Sequence, residues 1–173
     1  MSDIRTRWDE SDFEQMGWHD VHIHAVVPYA DVLQLRLDID YILGWITPPT
    51  NEECCFHFQL VPATMIFDLA SDVKLNINAG PPHLFIYELH QSAPIPGIFP
   101  ESPCSYDYRL ELGGGDITFN ASGFRMYLRQ PPQVHTGQRL DLRQRGGVCV
   151  EVPEAYRDED ERIWYEVKSW YHS

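Results

Sequence analysis

Positive charge is scarce in this chain: 13 lysines and arginines stand against 26 aspartates and glutamates, a net −13 over 173 residues. Such a surface repels phosphate backbones and anionic membranes, which argues against nucleic acid or a bilayer as partner. Cysteine is sparse as well. Cys54, Cys55, Cys104 and Cys149 form neither paired CxxC zinc knuckles nor a redox CxxC, and the neighbours Cys54 and Cys55 are badly placed for a disulfide. Reduced, structural thiols are expected, in a cytoplasmic setting. No apolar run approaches the ~20 residues of a membrane helix, and the opening MSDIRTRWDESDFEQ lacks a targeting pattern. Catalytic signatures are missing too. Ser122 sits in Asn-Ala-Ser-Gly-Phe rather than GxSxG, and neither Lys-Ser/Thr nor a helical pattern follows Gly113-Gly114-Gly115.

What is present is alternation. Val21, Ile23 and Ala25 share one side of an extended run, with Asp20, His22 and His24 on the other. Leu33, Leu35, Leu37 and Ile39 do the same against Gln34, Arg36, Asp38 and Asp40. These runs predict a hairpin over residues 17–45, connected at Pro28-Tyr29-Ala30-Asp31, with a buried aliphatic face and a wet polar one. Symmetric closure sets Asp20 near Asp38, His22 near Arg36 and His24 near Gln34.

The same rhythm predicts strands at 55–61, ended by Pro62, and at 63–67, 73–77 and 83–90, the last with Phe85, Tyr87 and Leu89 on one face. Residues 91–103, with four prolines, read as a loop between sheets. Tyr106 to Leu112 and Ile117 to Ala121 alternate around a glycine turn, the second clear hairpin. Strand 124–129 follows, then a short pair at 139–142 and 148–152. Residues 151–161 carry six acids against one arginine and read as a solvated connection. Residues 5–16 predict a short helix capped by Asp9 or Ser11, and 162–173 fit either a strand or a helix bearing Trp164, Val167, Trp170 and Tyr171. The chain is thus expected to form one β-rich domain over 1–173: an antiparallel β-sandwich or open barrel with a short N-terminal helix and, where the tail takes its helical option, a C-terminal helix.

Chemistry concentrates at His19-Asp20-Val21-His22-Ile23-His24. On a strand, His22 and His24 point the same way, about 7 Å apart. With Asp20 and Asp38, or Asp40 in place of either, they make a ligand set for a divalent metal that would acidify bound water for hydrolysis. His57, His83, His90 and His135 are the other imidazoles within reach of such a set. The alternative is a polar sheet face in which His22 pairs across to Arg36 or Asp38. Arg36, Asp40, Trp18 and His19 are the candidate binding residues on that face.

The segment Trp18-His19-Asp20 to Ile23, the strand Leu35 to Ile42, and Pro62-Ala63-Thr64 to Phe67 followed by Asp72-Val73-Lys74-Leu75 resemble a set of small bacterial β-rich proteins. Residues 114–132, GGDITFNASGFRMYLRQPP, extend that likeness. An early His-Asp followed by hairpins is more loosely similar to immunity proteins of bacterial polymorphic toxin systems. The resemblance implies no catalytic residues. It implies a non-enzymatic protein-binding module that neutralises a basic toxin, which the acidic charge would attract. A metal-dependent hydrolase at His22 and His24, and a homodimeric scaffold using strand edges and exposed aromatics, are the competing expectations.

Overall fold

The computed structural model describes residues 4–47, 56–78, 84–97, 102 and 104–171, with side chains as far as 164. Among these residues lie eleven strands: β1 (Arg7–Asp9), β2 (Val21–Tyr29), β3 (Gln34–Ile46), β4 (His57–Asp68), β5 (Ser71–Ile77), β6 (Phe85–Gln91), β7 (Ile95–Pro96), β8 (Cys104–Leu112), β9 (Gly115–Ala121), β10 (Gly123–Leu128) and β11 (Gln133–His135). A helix, α1 (Arg157–Tyr171), follows them. The pairings are antiparallel, in the order β1-β10-β4-β3-β2-β6-β8-β9-β5, with β11 beside β4 and β7 beside β8. The mainly β class is therefore as the alternation indicates, and at the C-terminus, where strand and helix both fit the sequence, the chain is helical.

The sheet bends at one corner. There β4 passes into β5 and β9 into β10, and the Ser122 N–H donates to the Asp68 carbonyl at 2.9 Å. Leu69 and Asp72 take left-handed backbone at this bend (φ 51° and 52°), a conformation that L side chains adopt only where the fold demands it. As a result Phe67 of β4 meets Tyr108 of β8 and Phe119 of β9, with ring centroids 5.0 and 4.5 Å apart. Leu35, Leu37, Ile39, Met65, Leu110, Ile117 and Met126 fill the same core, all fully buried. Each such side chain contributes roughly 1.5–3 kcal/mol on leaving water. The β8–β9 hairpin turns at Gly113-Gly114 as predicted. At Gly115 (φ +140°) a side chain would strike the Asn76 carbonyl of neighbouring β5.

The first hairpin forms with a different register. Its connection lies at residues 30–33, ending on left-handed Leu33 (φ 50°), so His22 faces Asp40 and Ala25 faces Asp38. A bulge at His24 supplies the one-residue shift. It carries Val26, not Ala25, onto the core. Pro28 lies inside β2 because that half of the strand pairs only with β3; β6 reaches no further than Val21 and His22. Pro62 likewise does not end its strand. Its carbonyl accepts from Arg129 N–H at 2.9 Å, so its missing donor also faces the gap between β10 and β11 rather than the β3 ladder.

Three further expectations change. Residues 5–16 begin as strand β1, and the expected short helix is 3-10 in form and confined to Glu10–Gln15, with Asp9 as its N-cap, as anticipated, in a reciprocal capping box with Asp12; Trp8, Phe13 and Met16 rest on the core. A bulge in β6 buries Ile86 and Leu89 and leaves Tyr87 45% exposed. Residues 139–152 contain no strand, and the acidic run after them opens α1 instead of dissolving into solvent. Cys54, Cys55, His83 and the middle of the 91–103 loop lie outside the described residues.

Candidate functional site

On β3 the aliphatic residues face the core as expected, but the opposite face is not wet. Gln34, Arg36, Asp38 and Asp40 are all buried, beneath residues 139–152 and the first turn of α1. The sheet supplies the neighbouring residues by direct opposition: Arg36 stands beside Ile66, Ile66 beside Arg125, and Asp38 beside Thr64. Two small apolar clusters flank the polar ones: Ile42, Phe58, Leu60 and Leu140 at one end, Ile66, Tyr127 and Val152 at the other.

Between those clusters lies an ionic lattice. Asp38 accepts from Arg145 Nη1 and Nη2 at 2.7 and 2.6 Å, from Arg129 Nη2 at 2.6 Å and from the Cys149 N–H at 2.9 Å. Asp40 meets His24 Nε2 at 2.8 Å, the Leu140 N–H at 2.9 Å and Arg145 Nε at 3.1 Å. Arg145, Asp38 and Asp40 have no exposed side-chain surface. Arg129 also donates to the Cys149 carbonyl. Farther along, Asp160 of α1 joins Arg36 (2.9 Å) to Arg125 (3.0 Å), while Arg125 grips Asp68 with two bonds at 2.7 and 2.8 Å. The Arg36 guanidinium also lies 4.8 Å from the Tyr29 ring centroid.

Desolvation of this kind costs several kcal/mol per ion, and only near-complete pairing offsets it. That balance is visible at Asp40. Burial pushes its carboxyl up, yet the bonds from His24, Leu140 N–H and Arg145 bring it below the ordinary carboxylate value. Arg145 shows the mirror image: burial lowers it, and the two aspartates raise it above the ordinary guanidinium value.

The expected metal ligands therefore separate. His22 and His24 do lie together, ring centroids 4.7 Å apart. Asp38 belongs to the arginines, and Asp40 is shared between His24 and Arg145. Asp20, in left-handed backbone (φ 67°), takes Gln138 Nε2 at 2.7 Å and His19 Nδ1 at 2.8 Å. Among the described residues no group of three or more His, Cys, Asp or Glu converges to hold a metal ion. Asp20 and His22 instead line a pocket of about 270 Å³ with Phe85, Gln138 and Arg139. Its described walls offer hydrogen-bond donors and acceptors to a small polar group.

The four candidate binding residues divide as well. Arg36 and Asp40 are 6% and 0% exposed and occupied internally, so they form no surface, because residues 139–152 cover the face they stand on. Trp18 is buried edge-on against Tyr41 and Phe124, and His19 is exposed at the rim beside Tyr87. Arg125, Arg129, Arg145, Asp68 and Asp160 are the partners that the hairpin alone did not reveal. A signal for two of them existed: in FRMYLR, Arg125 and Arg129 share a strand face with Tyr127, a cationic counterpart to the aspartates of β3.

Comparison of the chain with protein-family models, with curated proteins and with solved structures finds no match in any of the three.

Proposed function

We propose that this chain is a non-enzymatic protein-binding module whose partner is basic, in the manner of a bacterial immunity protein that neutralises a cationic toxin. The observation that carries the reading is how charge is divided. Arg36, Arg125, Arg129 and Arg145 are matched inside by Asp38, Asp40, Asp68 and Asp160. The lattice is neutral, so the whole net charge of −13 falls on the remaining residues. Glu151, Glu154, Asp158 and Glu161 are exposed around the start of α1, and an acidic field of this kind speeds encounter with a cationic surface. The His-Asp face, the strongest enzymatic feature of the sequence, serves the fold.

Cross-core contacts of Phe67 with Tyr108 and Phe119 support a sandwich-like scaffold for this role. Free thiols at Cys104 and Cys149 accord with a reducing, cytoplasmic setting. The test is affinity capture from source-cell lysate, followed by reconstitution with the purified captured protein. The expected partner has a high isoelectric point, and its association rate falls steeply with added salt. A partner bound with equal speed at low and high salt, or no stoichiometric partner at all, would overturn the reading.

A further inference from the structure

A second pocket, of about 280 Å³, opens on the other side of His19, with Trp18, Ile42, Trp45, Tyr87 and Glu88 among its walls. Trp45 and Tyr87 are 52% and 45% exposed, unusual for large rings on a small domain. Neighbouring rings steady both of them. Trp45 meets Phe58 at 5.0 Å and Phe56 at 5.8 Å, and Tyr87 meets Phe85 at 5.1 Å and His19 at 6.0 Å. A ring held in place yet half bare keeps a π face for a ligand at little entropic cost.

The charge beside these rings is unbalanced. Glu88 stands directly across from Glu111 in the β6–β8 ladder, and like charges so placed repel. Glu111 is answered by His90 at 3.3 Å and Arg109 at 3.9 Å. Glu88 has no ion pair or hydrogen bond among the described residues. His19, the imidazole among the described lining residues, is itself held by Asp20 at 2.8 Å. An indole face, a phenol ring and an uncompensated carboxylate around a small opening are what a cation with an apolar stem requires. At about 280 Å³ the pocket is below the ~300–1,000 Å³ usual for whole small molecules. It suits one side chain of a larger partner.

We propose that Trp45, Tyr87 and Glu88 form a cation-binding notch that receives an arginine or lysine side chain of a basic protein partner. The identity of the donor rests on the function proposed above; the notch itself does not. Trp and Tyr are the residues in which binding energy concentrates at interfaces, so one inserted cation would anchor the contact that the diffuse acidic field only steers.

The probe is a tetra-arginine peptide, capped at both ends, titrated into the full chain by calorimetry, with a tetra-citrulline peptide and a methyl glucoside as controls. Tetra-arginine is expected to bind and both controls to fail. Trp45→Ala is expected to weaken the affinity about 5- to 30-fold, the span of an ordinary to a desolvated cation–π contact. Glu88→Gln, which preserves shape, is expected to weaken it about 3- to 10-fold. Unfolding midpoints of both variants report that the chain still folds.

Equal affinity in wild type and both variants overturns the notch while leaving the basic-partner reading intact, because the peptide then binds the acidic surface at large. Absence of tetra-arginine binding, or binding of citrulline or glucoside with equal affinity, overturns it as well. So does a concentration-dependent dimer in sedimentation that Trp45→Ala dissolves, since a second copy then occupies the rings. A salt-sensitive partner from lysate that ignores both substitutions sinks this inference alone.

Discussion

The two faces of β3 are equally buried and oppositely built. Leu35, Leu37 and Ile39 look into a hydrocarbon core, whereas Arg36, Asp38 and Asp40 look into an ionic lattice closed by residues 139–152 and α1. The first face tolerates imperfect complementarity, since dispersion and desolvation act in every direction. The second is directional, and each of its charges is stable only while its partner is in place. Alternation in a strand therefore reports two environments, but not which of them is outside.

The largest way to break that contrast is to remove the shared cation. Arg145→Ala leaves Asp38 and Asp40 buried with their principal partner gone and is expected to cost about 3–5 kcal/mol in urea denaturation. Arg145→Lys is expected to recover little of it, because a single ammonium cannot span both carboxylates as the guanidinium fork does. A loss under about 1 kcal/mol for Arg145→Ala would mean that water replaces the arginine and the lattice is not closed. On the opposite face, Leu37→Ala removes buried methyl groups and is expected to cost about 2–5 kcal/mol. Its cost should not change with pH or salt, whereas that of Arg145→Ala should.

A smaller effect is expected at Asp160. Arg36 keeps Gln34 and Arg125 keeps Asp68 when it is neutralised, so Asp160→Asn should cost about 1–3 kcal/mol. Limited proteolysis should then cut residues 153–157 sooner than in wild type. Acid titrates the same contrast. Because the folded-state value of Asp40 lies below the ordinary one, its ion pairs contribute stability above about pH 4. That contribution is lost as pH falls through the depressed value. Tryptophan fluorescence across pH 7 to 2 in mild urea should show an acid transition that Leu37→Ala shifts bodily and Asp40→Asn flattens. The smallest effect is expected at Leu75, 49% exposed on edge strand β5: Leu75→Ser should stay within about 0.5 kcal/mol of wild type.

Much of this architecture was legible in the chain. The β8–β9 hairpin follows from the glycine turn, and the aliphatic set of β3 follows from its period. The register of the first hairpin was not legible, because a bulge at His24 and a turn at residues 30–33 depend on tertiary closure rather than on local preference. Both prolines misled for one reason: Pro28 and Pro62 stand where their missing donors face no partner strand. The charged face reads as solvated because its cover, residues 139–152, reads as a short strand pair of its own and carries no sign that it packs on β3. Its identity as a lid is set by Arg145 and by the backbone N–H groups of Leu140 and Cys149, which no pattern announces. Trp18 and His19 were singled out beside the aromatic pocket, while Trp45, Tyr87 and Glu88 carried no motif.

The span of chain between Asp38 and its chief partner has a consequence for biosynthesis. Arg145 lies 107 residues downstream of Asp38. At ~5–20 residues per second, a ribosome needs roughly 5–20 s to deliver it. Until then β3 and β4 can pair but cannot seal their charged side, and a stalled nascent chain should remain open to chaperones and proteases. Ribosome-bound chains arrested before residue 139 are expected to be protease-sensitive, and those carrying residues 139–160 clear of the exit tunnel to be resistant.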